Sequence, residues 1–387
     1  LLAVAAIAAQ VRAKAIIASA LSCPAWQASY PASRTQIGPV VSEWSSVWRS
    51  IMANVRALRR GRFLLTALYL AAGVVTVAAG QIATARQATA FPAVCDSGEP
   101  AWTARERWVW GQVCRRRPAD LRGGANRISA EFLEAILLDE PYRSALHSRV
   151  EIVGADFPGA LDLSGDVMTT SLLLDRGHFG GPVYFNRVDM RGVSLAGARF
   201  DDALSFEDAK IAGSIGLQGA ITKCINLSGA DVGNSVFLRG LRAGYGGKQC
   251  TKAFQHGDIR LIHTRVALDI DAGKAKAGPV DGSRLDVRGD IRMTDGVFGP
   301  VKLAGAQVAG TVDLTGSSAR DLEMSDIAAD QIVLSRNISG DQYVGPRPVF
   351  GDVSLSRAHL RAGLALAGVR TGNIDASDAD VAGDVSL

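Results

Sequence analysis

The feature that most constrains this 387-residue chain is an apolar triplet at positions x, x+4 and x+6, recurring from about residue 150 to the last residue. Phe157, Leu161 and Leu163 form one copy. Others are Phe200, Leu204 and Phe206, then Ile211, Ile215 and Leu217, then Val232, Val236 and Leu238. The triplet returns as Val297-Val301-Leu303, Val308-Val312-Leu314, Val349-Val353-Leu355, Leu360-Leu364-Leu366 and Val381-Val385-Leu387. First positions at 157, 179, 200 and 221 advance by 21 or 22 residues, and a second series at 168, 189, 211 and 232 lies midway between them. Further on, 287, 308, 328, 349 and 370 advance by 20 or 21, and Asp189 and Ser318 stand as degraded first positions. A fixed period of this size marks stacked repeats.

The x+4 and x+6 residues flank an outward one, as in Leu161-Asp162-Leu163, which is strand periodicity. Glycine is spread through the repeats and would weaken a helix interior. The expectation is an all-β, right-handed parallel β-helix, a solenoid of about 21 residues per coil. Each coil would hold two short strands and two turns, and the apolar residues would stack into a continuous core. About ten coils at ~4.8 Å each give a rod of roughly 50 Å.

The triplets Ala155-Asp156-Phe157, Ala198-Arg199-Phe200, Ala209-Lys210-Ile211, Ala230-Asp231-Val232, Ala306-Gln307-Val308 and Ala379-Asp380-Val381 resemble the units of pentapeptide-repeat proteins. Those units read alanine, a polar residue, a large apolar residue and two variable ones. The resemblance covers roughly residues 150–387 and implies a right-handed β-helix. The chain departs from the family in its period, nearer 21 than 20, and in showing one or two clean units per coil. The segment 126–141 and the coils after it are also similar to a group of bacterial proteins named membrane-associated oxidoreductases. That resemblance implies an oxidoreductase by name only.

Residues 63–80 are apolar and uncharged, and Arg56, Arg59, Arg60 and Arg62 precede them. With the small-residue site Ala88-Thr89-Ala90, residues 52–90 read as a signal peptide or, if retained, as a membrane anchor. Arginines on the N-terminal side keep that side cytoplasmic in either case. Met52 is the expected start, which makes residues 1–51 a leader extension or upstream read-through. Leu387 falls at an x+6 position with no polar cap behind it, so the expectation is a chain cut short.

Residues 1–90 carry nine Lys and Arg and one acid, which leaves residues 91–387 with an excess of four acids. The basic balance of the whole chain therefore comes from the leader, and nucleic-acid binding is not expected. The outward residues Asp162, Tyr184, Ser205, Gly216, Phe237, Lys302 and Asp313 form no carboxylate row of the kind that mimics DNA.

Cys23 lies in the leader, and the exported part holds Cys95, Cys114, Cys224 and Cys250. An even number fits an oxidising compartment. Proximity favours Cys95–Cys114 and Cys224–Cys250, the second stapling an insertion near 239–262, although four cysteines allow three pairings. Residues 91–149 read as a helical N-terminal cap. Ser129 is placed to start a helix with Phe132, Ala135, Ile136 and Leu137 on its apolar face, Pro141 to end it, and Tyr142–His147 to form a further turn. Trp102, Trp108 and Trp110 precede it, as a packed cluster or a sugar platform.

Chemistry is sparse. Gly244-Tyr-Gly-Gly-Lys248 lacks the spacing and the Ser/Thr of a phosphate loop. No G-x-G-x-x-G opens a helix, and there is no G-x-S-x-G or H-E-x-x-H. No cofactor or metal is expected. The five histidines are scattered. The candidate catalytic pair is Asp269 and Asp271, both outward on one strand in Leu268-Asp269-Ile270-Asp271, with His263 and Arg265 nearby in sequence. Two carboxylates so placed suit glycan cleavage. Segments 239–262 and 272–284 break the repeat, and such departures often carry binding. The expected role is a non-catalytic scaffold in a bacterial envelope, periplasmic or anchored in the inner membrane, with a protein or glycan partner. A carbohydrate-binding or carbohydrate-cleaving β-helix is the alternative.

Overall fold

Every half-coil of this chain bends twice, because the residue at x and the residues at x+4 and x+6 lie on different walls. A computed structural model describes residues 93–96, 98–124, 126–244, 259–339 and 342–386. They form a parallel β-solenoid of about 11 turns. One turn runs through Asp156–Phe157 on a first wall, Leu161–Asp162 on a second, and Val167–Leu173 across a third and a fourth. The first wall is an 8-stranded parallel sheet and the second a 10-stranded one. The third and fourth walls share one 18-stranded sheet, because a few longer strands such as Asp189–Ser194 and His359–Ala365 run through the corner between them. Elsewhere each wall takes only two residues per turn, as in Lys210–Ile211 and Ile215–Gly216.

The coil thus has four short strands and four corners rather than the two and two expected. Alternation shows which residues point inward but not where the chain turns. Strands this short are stable because each coil bonds to the coils on both sides, so the ladder is satisfied between coils. Ile211, for example, pairs with Met190 before it and Val232 after it.

Two corners of each turn use a residue in the left-handed region at x+8. On one edge these are Gly165, Arg187, Asp208, Gly229, His263 and Arg284, with φ from 55° to 81°. The other corners let neighbouring coils approach closely. A Cβ at Gly233 would lie 2.3 Å from the Ala212 carbonyl oxygen.

The core is the stacked inward triplets. Phe157, Phe179 and Phe200 stack on the first wall at 4.9 and 4.8 Å with nearly parallel rings, and Phe185 and Phe206 stack on the second at 4.9 Å. At several copies the inward residue lies one place later than the spacing indicates. Val297 and Val349 are outward and exposed, while Phe298 and Phe350 are buried. Met190 and Ala319 fill the core beside Asp189 and Ser318, so those copies are not degraded.

Two segments interrupt the register. Ile259 pairs with Ile225, 34 residues earlier, so extra residues lie between these two turns; residues 245–258 of the expected 239–262 insertion lie outside the description. Segment 272–284 does not interrupt it: Lys276–Ala277 and Val280–Asp281 form a regular turn, paired to Val297–Phe298 and Val301–Lys302. A second insertion escaped the spacing. Residues Ile338–Ser339 and Gln342–Tyr343 form an antiparallel hairpin, and beyond it Val353 pairs with Leu322, 31 residues earlier. The ten or so extra residues equal half a coil. The 21-residue step from 328 to 349 therefore survives, but it joins the third wall to the first.

Before the solenoid lie helices α1 (Ala104–Cys114), α2 (Ala130–Leu138) and α3 (Tyr142–Ala145). Thr103 caps α1 in a reciprocal capping box with Glu106, and Ser129 caps α2. Helix α1 was not anticipated, because its apolar stripe is weak, yet Thr103-x-x-Glu106 marks its start. Between α1 and α2, Ala119–Asp120 pairs in parallel with Ile152 and Val153, and Glu134 of α2 accepts the Asp162 N–H of the first turn at 3.3 Å. The helices are thereby joined to the solenoid's first turn. Trp102 and Trp110 are buried against Tyr142, with Phe132 on Trp102. Trp108 faces outward beside Arg105. Cys95 and Cys114 form a disulfide that ties the start of this region to the end of α1.

Among the described residues, no helix is long and apolar enough to cross a membrane. Residues 63–80, the expected signal peptide or anchor, and residues 1–51 lie outside them.

Candidate functional site

Asp269 immediately precedes the fourth-wall strand Ile270–Asp271, and the inward Ile270 separates the two acids. They engage opposite neighbours. Asp269 reaches forward one turn, accepting the Asp290 N–H at 2.9 Å and Arg292 Nη1 at 3.0 Å. Asp271 reaches back one turn, accepting Arg239 Nε and Nη2 at 3.0 and 2.9 Å. It also accepts the Gly273 N–H at 3.0 Å.

Both arrangements recur along the solenoid. Asp290 accepts the Thr311 N–H and Asp352 the Asn373 N–H, each at 2.9 Å, as Asp269 does for Asp290. Asp162, Asn226, Asp281, Asp313 and Asp375 accept the N–H two residues on, as Asp271 does. That is the local turn that Asp and Asn favour. The repeated Asp-x-Ser and Asp-x-Thr spacing was the sequence signal for it.

His263 and Arg265 do not join these acids. His263 makes the left-handed corner between the second and third walls, where its Nε2 lies 3.4 Å from Arg284 Nη1. Arg265 stands on the third wall, 3.8 Å from Asp231. Among the described residues, no group of three or more His, Cys, Asp and Glu is placed to hold a metal. Cys224 is buried and disulfide-bonded, and Cys250 lies outside the described residues.

The outer surface carries an order that inspection of scattered outward residues missed. In-register columns alternate in sign. On the third wall Asp189, Lys210, Asp231, Arg265 and Asp286 follow one another from turn to turn. On the second, Arg260, Asp281, Lys302 and Glu323 do the same, with Lys302 and Glu323 3.3 Å apart. On the fourth, Asp271, Arg292 and Asp313 continue the pattern. Opposite charges in register stabilise a sheet and like charges destabilise it.

The first wall begins in the same manner. His178 Nδ1 lies 2.7 Å from Asp156 Oδ1 and its Nε2 2.9 Å from Asp201 Oδ2, spanning three turns. These hydrogen bonds, the one to Asp201 foremost, raise the His178 pKa above its ordinary value. A shallow groove of about 320 Å³ crosses the third wall where Ala309 and Ala328 are short between Arg288 and Arg361, with Gln307 also lining it. Arg361 lies 3.3 Å from Asp330 and donates to the Ala309 carbonyl.

Comparison with family models, curated proteins and solved structures returned no match. The likeness to pentapeptide-repeat proteins and to the proteins named membrane-associated oxidoreductases rests on the residues quoted above.

Proposed function

We propose that the protein is a non-catalytic scaffold of a bacterial envelope, a right-handed β-helix whose rigid outer walls bind a protein or glycan partner. The observation that carries this reading is the fate of the candidate catalytic acids. Asp269 and Asp271 are each bound to an arginine of a different neighbouring turn, and each repeats a wall-building role found in other coils. The Cys95–Cys114 disulfide supports export, with residues 52–90 as signal peptide or anchor. Parallel crossovers favour the right-handed winding.

The test is a crosslinked pull-down of the tagged full chain from its native cells, analysed for proteins and glycans. One reproducible protein partner is the expected result. Glycan without protein would move the reading to a lectin or glycan-cleaving enzyme. Cleavage abolished by Asp269→Asn would then overturn the scaffold.

A further inference from the structure

The first wall breaks the rule the other walls keep. From Ile221 onward its in-register outward column runs Ile221, Arg242, Lys276, Val297, Ser318, Val349 and Arg370. No carboxylate occurs in it. Arg242 and Lys276 are directly opposed like charges, an arrangement that destabilises a sheet and that the alternating columns avoid. Among the described residues neither side chain has an ion-pair or hydrogen-bond partner, and both are exposed. Arg320, two places after Ser318, adds another exposed cation.

Between these cations stand two aliphatic side chains that the fold does not need. Val297 is 55% and Val349 51% exposed, while the adjacent Phe298 and Phe350 fill the core. Gly278, Gly299 and Gly351 follow the inward residues of three of these turns, so no side chain projects at those places beside the column. The nearest corner acids, Asp321 and Asp352, lie at the edge of the wall beside Gly351 and Gly372, away from Arg242 and Lys276 in the column order. They accept backbone N–H groups of the next turn, and Asp295 accepts from Asn337.

We infer that this wall is a docking face for an anionic lipid bilayer. Cations alone would suit any polyanion. The interleaved valines distinguish a membrane surface, where headgroups attract Lys and Arg and the acyl boundary takes up aliphatic side chains. A phosphate backbone offers valine nothing, and the column holds no aromatic ring on which a base could stack. Six coil steps from Ile221 to Arg370 give a straight contact strip of roughly 30 Å. The solenoid would then lie along the bilayer on its first wall, leaving the charge-alternating walls for other partners. This inference is independent of the pull-down, because that experiment reads protein and glycan partners.

The test is co-sedimentation of the full chain with vesicles of phosphatidylcholine alone or mixed with phosphatidylglycerol. The phosphatidylcholine vesicles measure whatever residues 63–80 contribute by themselves. The expected result is tighter binding to the anionic vesicles that weakens with added salt. Arg242→Ala with Lys276→Ala should reduce that gain on the order of 20-fold, and Val297→Ser with Val349→Ser several-fold at unchanged charge. Lys302→Ala, in an alternating column, should leave it unchanged. All variants are first checked for wild-type circular dichroism and melting; a pair that misfolds is replaced by Arg242→Gln with Lys276→Gln. Equal binding to both vesicle types would overturn the inference, as would wild-type binding by the correctly folded charge variant. Capture of DNA or an acidic protein through these cations, without vesicle binding, would also overturn it.

Discussion

Glu106 of α1 accepts both the backbone N–H and the hydroxyl of Ser129, the N-cap of α2, at 2.9 and 2.7 Å. Its other oxygen accepts the Thr103 N–H at 2.7 Å. One buried carboxylate therefore closes the start of two helices.

Burial pushes the Glu106 carboxyl upward, but the donors from Ser129 and Thr103 outweigh it and hold the group below its ordinary value. A depressed folded pKa gives stability that is present above the unfolded value of 4.5 and lost as pH falls through the folded value. Glu106→Ala should cost about 3 kcal/mol by leaving these donors unmatched. Urea unfolding from pH 7 to pH 3 should show part of the wild-type acid loss missing in Glu106→Gln. An unchanged acid limb would remove Glu106 as its source.

His178 gives the opposite slope. Both ring nitrogens lie within hydrogen-bonding reach of a carboxylate, so the imidazolium satisfies the clamp and the neutral ring satisfies half of it. The raised folded pKa means the contribution is full below the unfolded value of 6.5 and disappears as pH rises through the folded value. The ring is 41% exposed and Arg199 also pairs with Asp201, so solvent screening keeps the contribution below about 1 kcal/mol. His178→Gln should flatten the stability profile above pH 6.5, and an NMR titration should place the ring above 6.5. A value at or below 6.5 would refute the clamp.

Phe179 sits between Phe157 and Phe200 in the stack and is fully buried. Phe179→Ala should cost about 3–5 kcal/mol, and Phe179→Leu clearly less. Equal losses would contradict this cavity account, and a Phe179→Leu variant as stable as wild type would mean that the ring stack adds nothing beyond volume.

Gly219 and Gly233 should respond differently to alanine. Gly219 has φ of 67° with open space around a built Cβ, so the loss is the left-handed backbone penalty of about 1 kcal/mol. Gly233 meets the Ala212 carbonyl at 2.3 Å and should lose about 2–3 kcal/mol as the coils are forced apart. Comparable melting temperatures for the two variants would contradict the close stacking.

The inward triplets and the solenoid were legible because every turn must bury apolar residues at the same places. Strand number was not, since Phe157 and Leu161 read alike although they belong to different walls. At Asp189, Val297, Ser318 and Val349 the buried residue is the next one, a one-place shift that spacing alone does not show, since Val232 and Val308 at the same position are buried. Asp269 and Asp271 drew attention as a carboxylate pair, while the repetition of each one's local role in other coils went unread. The basic column on the first wall was hidden because Arg242 and Lys276 are 34 residues apart in sequence, and the insertion between them obscures their register.

The two halves of each coil are built to the same plan, with inward residues at x, x+4 and x+6 and a left-handed corner at x+8. The cross-section therefore has an approximate two-fold symmetry, and a chain growing by accretion meets two nearly degenerate ways to lay down its next segment. Insertion of half a coil before Val349 leaves the hydrophobic spacing unbroken while the chain returns to the first wall, so the spacing of apolar residues alone does not choose between the halves. The labels that break the degeneracy are the ones each wall carries by itself. The phenylalanine stacks mark the first and second walls, and the sign-alternating columns reward only coils threaded in step. The outer charges thereby act as an alignment code for winding, and erasing one column should raise the share of molecules trapped half a turn out of phase.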